Sequence, residues 1–252
     1  YRARQRSVDR AVALKVLHLD ATRRASTVKR LRREARLMAM LDHPNIVSAF
    51  DVGESPDGWW MAMELIEGQP LSEHLRRGGP MGEAEAVELF SQLAAALQHA
   101  HEAGVIHRDV KPANVILTAS GEPRLVDLGL ARSEDEPQLT RLGATMGTPH
   151  YVSPEQARNP ADVDPRSDVY SLAATMHHAL CGEPPFPGES PAEVLASVLH
   201  DPLSDPRETH PGVSKGMSLV LRKALSKDPM RRHASARELA MDLKLLMRGK
   251  RP

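Results

Sequence analysis

The sequence predicts an α+β protein in two lobes, a small β-rich N-lobe with one main helix and a larger, mostly helical C-lobe. Three observations predict it. Roughly the first 65 residues read as strand, strand, helix, strand, strand. The remainder is dominated by helical periodicity broken by Pro- and Gly-containing loops. Between them "EGQP" marks a break, which assigns residues 1–66 and 67–252 to the two lobes of one domain. A chain of 252 residues is long enough to bury a sizeable core.

Each element follows from its local pattern. In "AVALKVL", Ala11 to Leu17, alternation puts Val12, Leu14 and Val16 on one face and Ala13, Lys15 and Leu17 on the other. Lys15 therefore either meets a buried partner or snorkels to water, and the strand alone does not choose. "VKRLRREARLMAML" carries Leu31, Ala35, Met38 and Leu41 at helical spacing and ends at Asp42-His43-Pro44. "NIVSAFDVGE" and "WWMAMELI" pair around the turn "SPDG". In the second lobe, "EAEAVELFSQLAAALQHAHEAG" is a long amphipathic helix closed by Gly104, followed by short strands "NVIL" and "PRLVD" around "TASG". Helices are then expected around Ser167 to Cys181, from Ser190-Pro191 with Glu193 in a capping box, near Ser214 to Ser226, and from Ser235 with Glu238 likewise placed.

Composition removes several classes of function. Lys plus Arg number 33 and Asp plus Glu 33, so no global field points to nucleic acid or an anionic membrane. The basic excess from Tyr1 to Arg36 lacks interleaved aromatic residues and reads as a solvated face rather than a nucleic-acid surface. Cys181 is the sole cysteine, which excludes intrachain disulfides and cysteine-rich zinc frameworks and fits a reducing cytoplasm. The 12 histidines, among them the adjacent His177 and His178, show no metal-ligand spacing and are assigned to structure or surface. No apolar run reaches the length of a membrane span, and no signal peptide opens the chain.

The chemistry concentrates in "HRDVKPANVIL", His107 to Leu117, and "VDLGLAR", Val126 to Arg132. Asp109, Lys111 and Asn114 lie within six residues, and Asp127 follows Asn114 by thirteen. A carboxylate to orient a hydroxyl, a cation for a moving phosphate, and amide and carboxylate oxygens for Mg²⁺ are what phosphoryl transfer to a hydroxyl requires.

Over nearly its whole length the sequence resembles the protein kinases, specifically the Hanks-type Ser/Thr kinases of bacteria. The resemblance implies the kinase-like bilobal fold, ATP as co-substrate, and Mg²⁺, or Mn²⁺ in its place. It implies that Lys15 in "VALKVL" holds the ATP phosphates and is held by Glu34, nineteen residues on. Asp109 would accept the substrate proton, Lys111 would neutralise the γ-phosphate, and Asn114 and Asp127 would coordinate the metal. Lys111, two residues after Asp109, is the Ser/Thr rather than the Tyr pattern. Met63 would guard the adenine pocket, backbone groups of Glu64 and Ile66 would read the adenine edge, and Ala13 and Leu117 would enclose the ring. Glu155 in "SPE" would pair with Arg232 in "DPMRR", and Asp168 in "RSDVYSL" would brace the catalytic loop, all three in structural roles.

Two departures from the family pattern bear on activity. "DLG" stands for the family's "DFG", so Leu128 is expected to stack with Met38 and His107 in an internal apolar column. The chain opens at "YRA", which in the family follows a glycine-rich phosphate loop, so the N-lobe is expected to be truncated before that loop. The segment from Asp127 to Glu155 is rich in hydroxyls; Thr140 or Thr145 is the expected autophosphorylation site, docking on Arg108, Arg132 and Arg30, while Thr148 would contact the substrate hydroxyl region. Partners are then proteins bearing Ser or Thr and ATP, with a dimer serving trans-autophosphorylation, and with neither nucleic acid nor membrane contacted by the domain. Ala113 and Pro70 stand where arginine-directed relatives carry glutamate, which argues against a strong basic preference. The location is cytoplasmic, and "RGKRP" would suit the flank of a membrane span in a longer protein. The alternative reading is a pseudokinase, a scaffold with this fold and little phosphotransfer.

Overall fold

The computed structural model describes residues 1–17, 37–55, 58–127 and 149–250. Glu34, Arg30, Leu128, Arg132, Thr140, Thr145 and Thr148 lie outside them. Of the predicted N-lobe helix, residues 37–39 are described and helical.

Four strands form the N-lobe sheet: β1 (Arg2–Gln5), β2 (Arg10–Leu17), β3 (Ala49–Ser55) and β4 (Gly58–Glu64), in the spatial order β1-β2-β4-β3. All its pairings are antiparallel, and the register sets Lys15 opposite Met61 and Ala13 opposite Met63. Period-two alternation separates the two faces of β2. Val12, Leu14 and Val16 line an apolar groove with Trp60 and Ala62. Ala13 packs instead against a buried cluster of Met38, Leu41, Ile46, Val47, Met61 and Met63, which also takes in Ala96 and Ala100 of the C-lobe. The strand predicted from Asn45 starts later, at Ala49, because Ile46 bridges to Leu125 in the other lobe instead.

The C-lobe begins with a second sheet, β5 (Gly68–Pro70), β6 (Val115–Thr118) and β7 (Pro123–Leu125), in that spatial order. "EGQP" is thus partly strand: three residues are too few to show a period. Gly68 is required there, since a Cβ would lie 2.1 Å from the carbonyl oxygen of Leu117 on the neighbouring strand. The helices are α1 (Leu71–Gly78), α2 (Glu83–Glu102), α3 (Pro154–Arg158), α4 (Pro165–Cys181), α5 (Pro191–His200), α6 (Pro206–Thr209), α7 (Lys215–Ala224) and α8 (Ala236–Met247). The core gathers Phe90, Leu93 and Leu97 of α2, Tyr170 and Leu172 of α4, Met217 and Leu221 of α7, and Leu239 and Leu243 of α8.

Caps account for most helix starts. Ser153, Asp164, Ser190, Asp205, Ser214 and Ser235 each accept a backbone N–H of the following turn, and Pro begins α3, α4, α5 and α6. In α5 and α8 the capping-box glutamates reach one residue further back than the usual pattern: Glu193 accepts from Glu189 N–H, and Glu238 from Ala234 N–H. Among the described residues, no helix is long and apolar enough to cross a membrane.

Candidate active site

Four of the sequence-selected polar residues meet around the short segments that flank β6 and β7. Asp109 precedes a 3₁₀ turn at Pro112–Asn114, which folds the loop back on itself. Lys111 Nζ therefore donates to Asp109 Oδ2 at 2.9 Å. The amide nitrogen of Asn114 donates to Asp109 O at 2.9 Å and to Asp109 Oδ2 at 3.0 Å. Val126 N–H donates to Asn114 O at 3.0 Å, which brings Asp127 alongside. Lys15 Nζ then reaches across from β2 to Asp127 Oδ1 at 2.7 Å. Both residues of this pair are partly exposed, and it joins the two lobes.

The loop carrying Asp109 is braced from below. Asp168, fully buried near the start of α4, accepts His107 N–H at Oδ2 and Arg108 N–H at Oδ1, each at 2.8 Å. His101 Nε2 lies 2.7 Å from Asp168 Oδ2. Gln156 Nε2 donates to Arg108 O at 2.7 Å. These contacts hold Arg108 at φ 63°, in the left-handed region that costs a residue with a Cβ about 1–2 kcal/mol. Asp127 is likewise left-handed, at φ 55°. Strain held by surrounding hydrogen bonds is a mark of functional loops.

His107 is wholly buried. Burial lowers its pKa, opposed by the nearby carboxylates of Asp168 and Asp109. The neutral ring has one donor and one acceptor. Nδ1 accepts from Asp109 N–H at 3.2 Å, so Nε2–H donates to Val126 O at 3.2 Å. His107 thus ties the segment of Asp109 to that of Asp127. Met38 is buried in the N-lobe cluster.

Arg232 and Glu155 are also brought together. Arg232 Nη1 and Nη2 donate to Glu155 Oε1 and Oε2, each at 2.7 Å, and Ser167 Oγ adds a 2.5 Å bond to Oε1. Burial alone would raise the Glu155 carboxyl, but the hydrogen bonds and charge of Arg232, with Ser167, bring it below its ordinary value. At the lobe junction Met63 is buried, Ile66 packs on the N-lobe cluster, and Leu117 is buried beneath. Glu64 donates its N–H to Ser48 O at 2.9 Å and pairs its carboxylate with Arg124.

Sequence reasoning missed the direct Lys15–Asp127 contact, His101, Gln156 and the Ser167 bond. "HEAGVIHRD" carries no local signal that His101 shares a carboxylate with the loop six residues on, because that carboxylate comes from another helix.

A two-lobed α+β fold that brings together an oriented carboxylate, two lysine amines, an amide and a second carboxylate holds the side-chain types that phosphoryl transfer uses. The family model described as protein kinase domain matches residues 1–243, and the chain belongs to that family, on its bacterial Hanks-type serine/threonine branch. It is 39% identical over 255 residues to the serine/threonine-protein kinase PknB of Mycobacterium leprae, covering 99% of this chain and 41% of that protein. To PknB of Mycobacterium tuberculosis it is 40% identical over 256 residues, with 99% and 41% covered. To the serine/threonine-protein kinase PrkC of Bacillus subtilis it is 34% identical over 244 residues, with 97% and 38% covered. The chain therefore spans about two fifths of the length of these relatives. Membership of the family implies use of ATP and a divalent metal.

Proposed function

We propose that the chain is a catalytic domain, with an N-lobe of residues 1–66 and a C-lobe of 67–252, that transfers the γ-phosphate of ATP to Ser and Thr hydroxyls of proteins. The observation that carries the reading is the Asp109–Lys111–Asn114 cluster set against the Lys15–Asp127 pair.

Asp109 Oδ2, fixed by Lys111 and Asn114, accepts the substrate hydroxyl and takes its proton as the oxygen attacks. Lys111, already at that carboxylate, offsets charge on the phosphoryl group in transit. Lys15 holds the α- and β-phosphates, and Glu34 positions Lys15. Asn114 spends its amide nitrogen on Asp109, and Asp127 engages Lys15 through one oxygen, so each retains an oxygen suited to a hard cation. That donor set fits Mg²⁺ or Mn²⁺. When bound, the cation neutralises charge on the phosphates. Backbone groups of Glu64 and Ile66 read the adenine edge behind Met63, between Ala13 and Leu117. Catalysis is mainly positioning and charge compensation.

A Mg²⁺-ATP autophosphorylation assay tests the reading. Asp109→Asn and Lys15→Met should each lower phosphate incorporation by about 10²-fold or more. Incorporation unchanged in either variant contradicts it. Regulation follows from phosphorylation of Thr140 or Thr145, docking on Arg108, Arg132 and Arg30, in a dimer that phosphorylates in trans. Mass spectrometry of active protein should find one of these threonines modified; fully active protein with both unmodified would overturn this part. The domain acts in the cytoplasm, within a longer protein.

A further inference from the structure

The outward faces of α7 and α8 carry the same two kinds of side chain. On α7, Lys215, Leu219 and Arg222 recur at helical spacing and are all exposed. Met241 and Lys244 on α8 and Arg248 just past it do the same, with Met247 and Lys250 exposed beside them. Leu219 is 39% exposed, and Met241 and Met247 are each 59% exposed. Singly such residues mean little; here they share two helices that pack together. Lys223 of α7 joins the pair, donating to Glu238 Oε1 at 2.7 Å and to Asp242 Oδ2 at 3.3 Å on α8. Leu219 lies four residues before Lys223 and Met241 three after Glu238, the spacings at which helical side chains are neighbours. The partly exposed Lys223–Glu238 bridge therefore links the two stripes into one surface.

The acids of these helices are spent inside that surface. α7 has none. On α8, Glu238 holds Lys223 and the Ala234 N–H, and Asp242 holds Lys223 and lies 3.0 Å from His233 Nε2. From neighbouring elements, Glu102 of α2 pairs with Arg237, and Asp205 at the start of α6 pairs with Arg207. Lys215, Arg222, Lys244, Arg248 and Lys250 form no ion pair among the described residues. Against these five cations α2 exposes two acids, Glu85 and Glu88. The face keeps a positive excess that the balanced total of 33 basic and 33 acidic residues hides.

Cations interspersed with flexible aliphatic side chains suit a fluid anionic layer. Leu219, Met241, Met247 and the methylene stems enter among the headgroups while the charges meet lipid phosphates. Neither helix holds an aromatic residue on which a base could stack or that could anchor in a protein pocket, which disfavours nucleic acid and a protein partner. We propose that the exposed face of α7 and α8 is a docking surface for an anionic phospholipid bilayer. Neither helix carries a residue of the Lys15–Asp127 site, so the bilayer and phosphotransfer engage different residues.

Co-sedimentation of the full chain with vesicles, without ATP, tests this independently of phosphotransfer. The chain should sediment with vesicles of phosphatidylglycerol and phosphatidylcholine in equal parts and stay in solution with phosphatidylcholine alone. Raising salt from about 0.1 M to about 1 M shortens the screening length from about 10 Å to about 3 Å and should release it. R222Q with K244Q should weaken partitioning about 25-fold, about fivefold for each cation lost. M241S with M247S should weaken it about tenfold at unchanged charge. All four side chains are exposed and outside any ion pair, so these variants keep their fold, and the lipid and salt comparisons need no variant. R2Q with R6Q, equal in charge but on the N-lobe hairpin, should bind as the wild type does. The proposal is overturned by no sedimentation with the phosphatidylglycerol vesicles, by partitioning unmoved in either helix variant, or by a loss as large in R2Q with R6Q. Tighter binding to duplex DNA than to vesicles at the same salt would overturn it too, assigning the cations to nucleic acid.

Discussion

Arg232 is 4% exposed and Glu155 9%, so removing one partner strands the other away from water. Arg232→Ala should cost about 3–5 kcal/mol of unfolding free energy, measured by urea titration. A loss below about 1 kcal/mol would place the pair with exposed ones. Asp168→Ala acts on function as well as on stability. It removes the acceptor for His107 N–H and Arg108 N–H and frees a strained loop, so kcat should fall by about 10²-fold while ATP binding holds. Unchanged kcat in folded protein would show that the loop keeps its shape unaided. Residues at this scale were legible where chemistry is local. "HRDVKPAN" puts Asp109, Lys111 and Asn114 in one loop, and their mutual bonds follow from chain length alone. Lys15 and Asp127, 112 residues apart, are joined by a fold that no local pattern encodes.

Among elements, α4 carries the sharpest titration. Burial lowers His177 from an ordinary 6.5 to about 4. The unfolded chain therefore takes up a proton first as pH falls. Stability from this group is full above pH 6.5, declines from there to about pH 4, and levels off below, a loss of about 3 kcal/mol. Burial lowers His107 and His233 as well, so their contributions have the same sign. Urea midpoints should fall between pH 7.5 and pH 5, less steeply in His177→Phe; equal slopes in the two proteins would remove His177 as a source. Long elements are legible in the sequence, α2 by its period and the closing Gly104 and α4 by its helical run. Short ones do not: β5, α3 and α6 hold five residues or fewer, and neighbours fix them rather than propensity.

At the scale of the whole molecule, the chain crosses between the sheets once at residues 65–67, and side chains and backbone of the 45–47 segment tie the lobes a second time. Asn45 O accepts Leu125 N–H at 2.8 Å, and Val47 N–H donates to Leu125 O at 3.0 Å, so a piece of N-lobe chain is an extra partner of the C-lobe sheet. The Asn45 side chain adds bonds to Pro123 O at 2.8 Å and Gln92 Oε1 at 3.2 Å. Glu64–Arg124 closes the same junction from the hinge side. The 45–47 segment therefore straps the N-lobe to the C-lobe sheet independently of the Lys15–Asp127 contact. Asn45→Ala leaves two acceptors without their donor, one of them buried, and should cost about 1–3 kcal/mol of unfolding free energy. Because the strap sets where Lys15 meets the phosphates, KM for ATP should rise several-fold, by about 3–10, with kcat changed less. Arg124→Met should shift KM in the same direction with a smaller stability loss, its ion pair being partly exposed. Unfolding curves and steady-state kinetics on both variants check this together. A stability loss in Asn45→Ala with KM unmoved would mean that the strap holds the lobes together without setting the distance between Lys15 and Asp127.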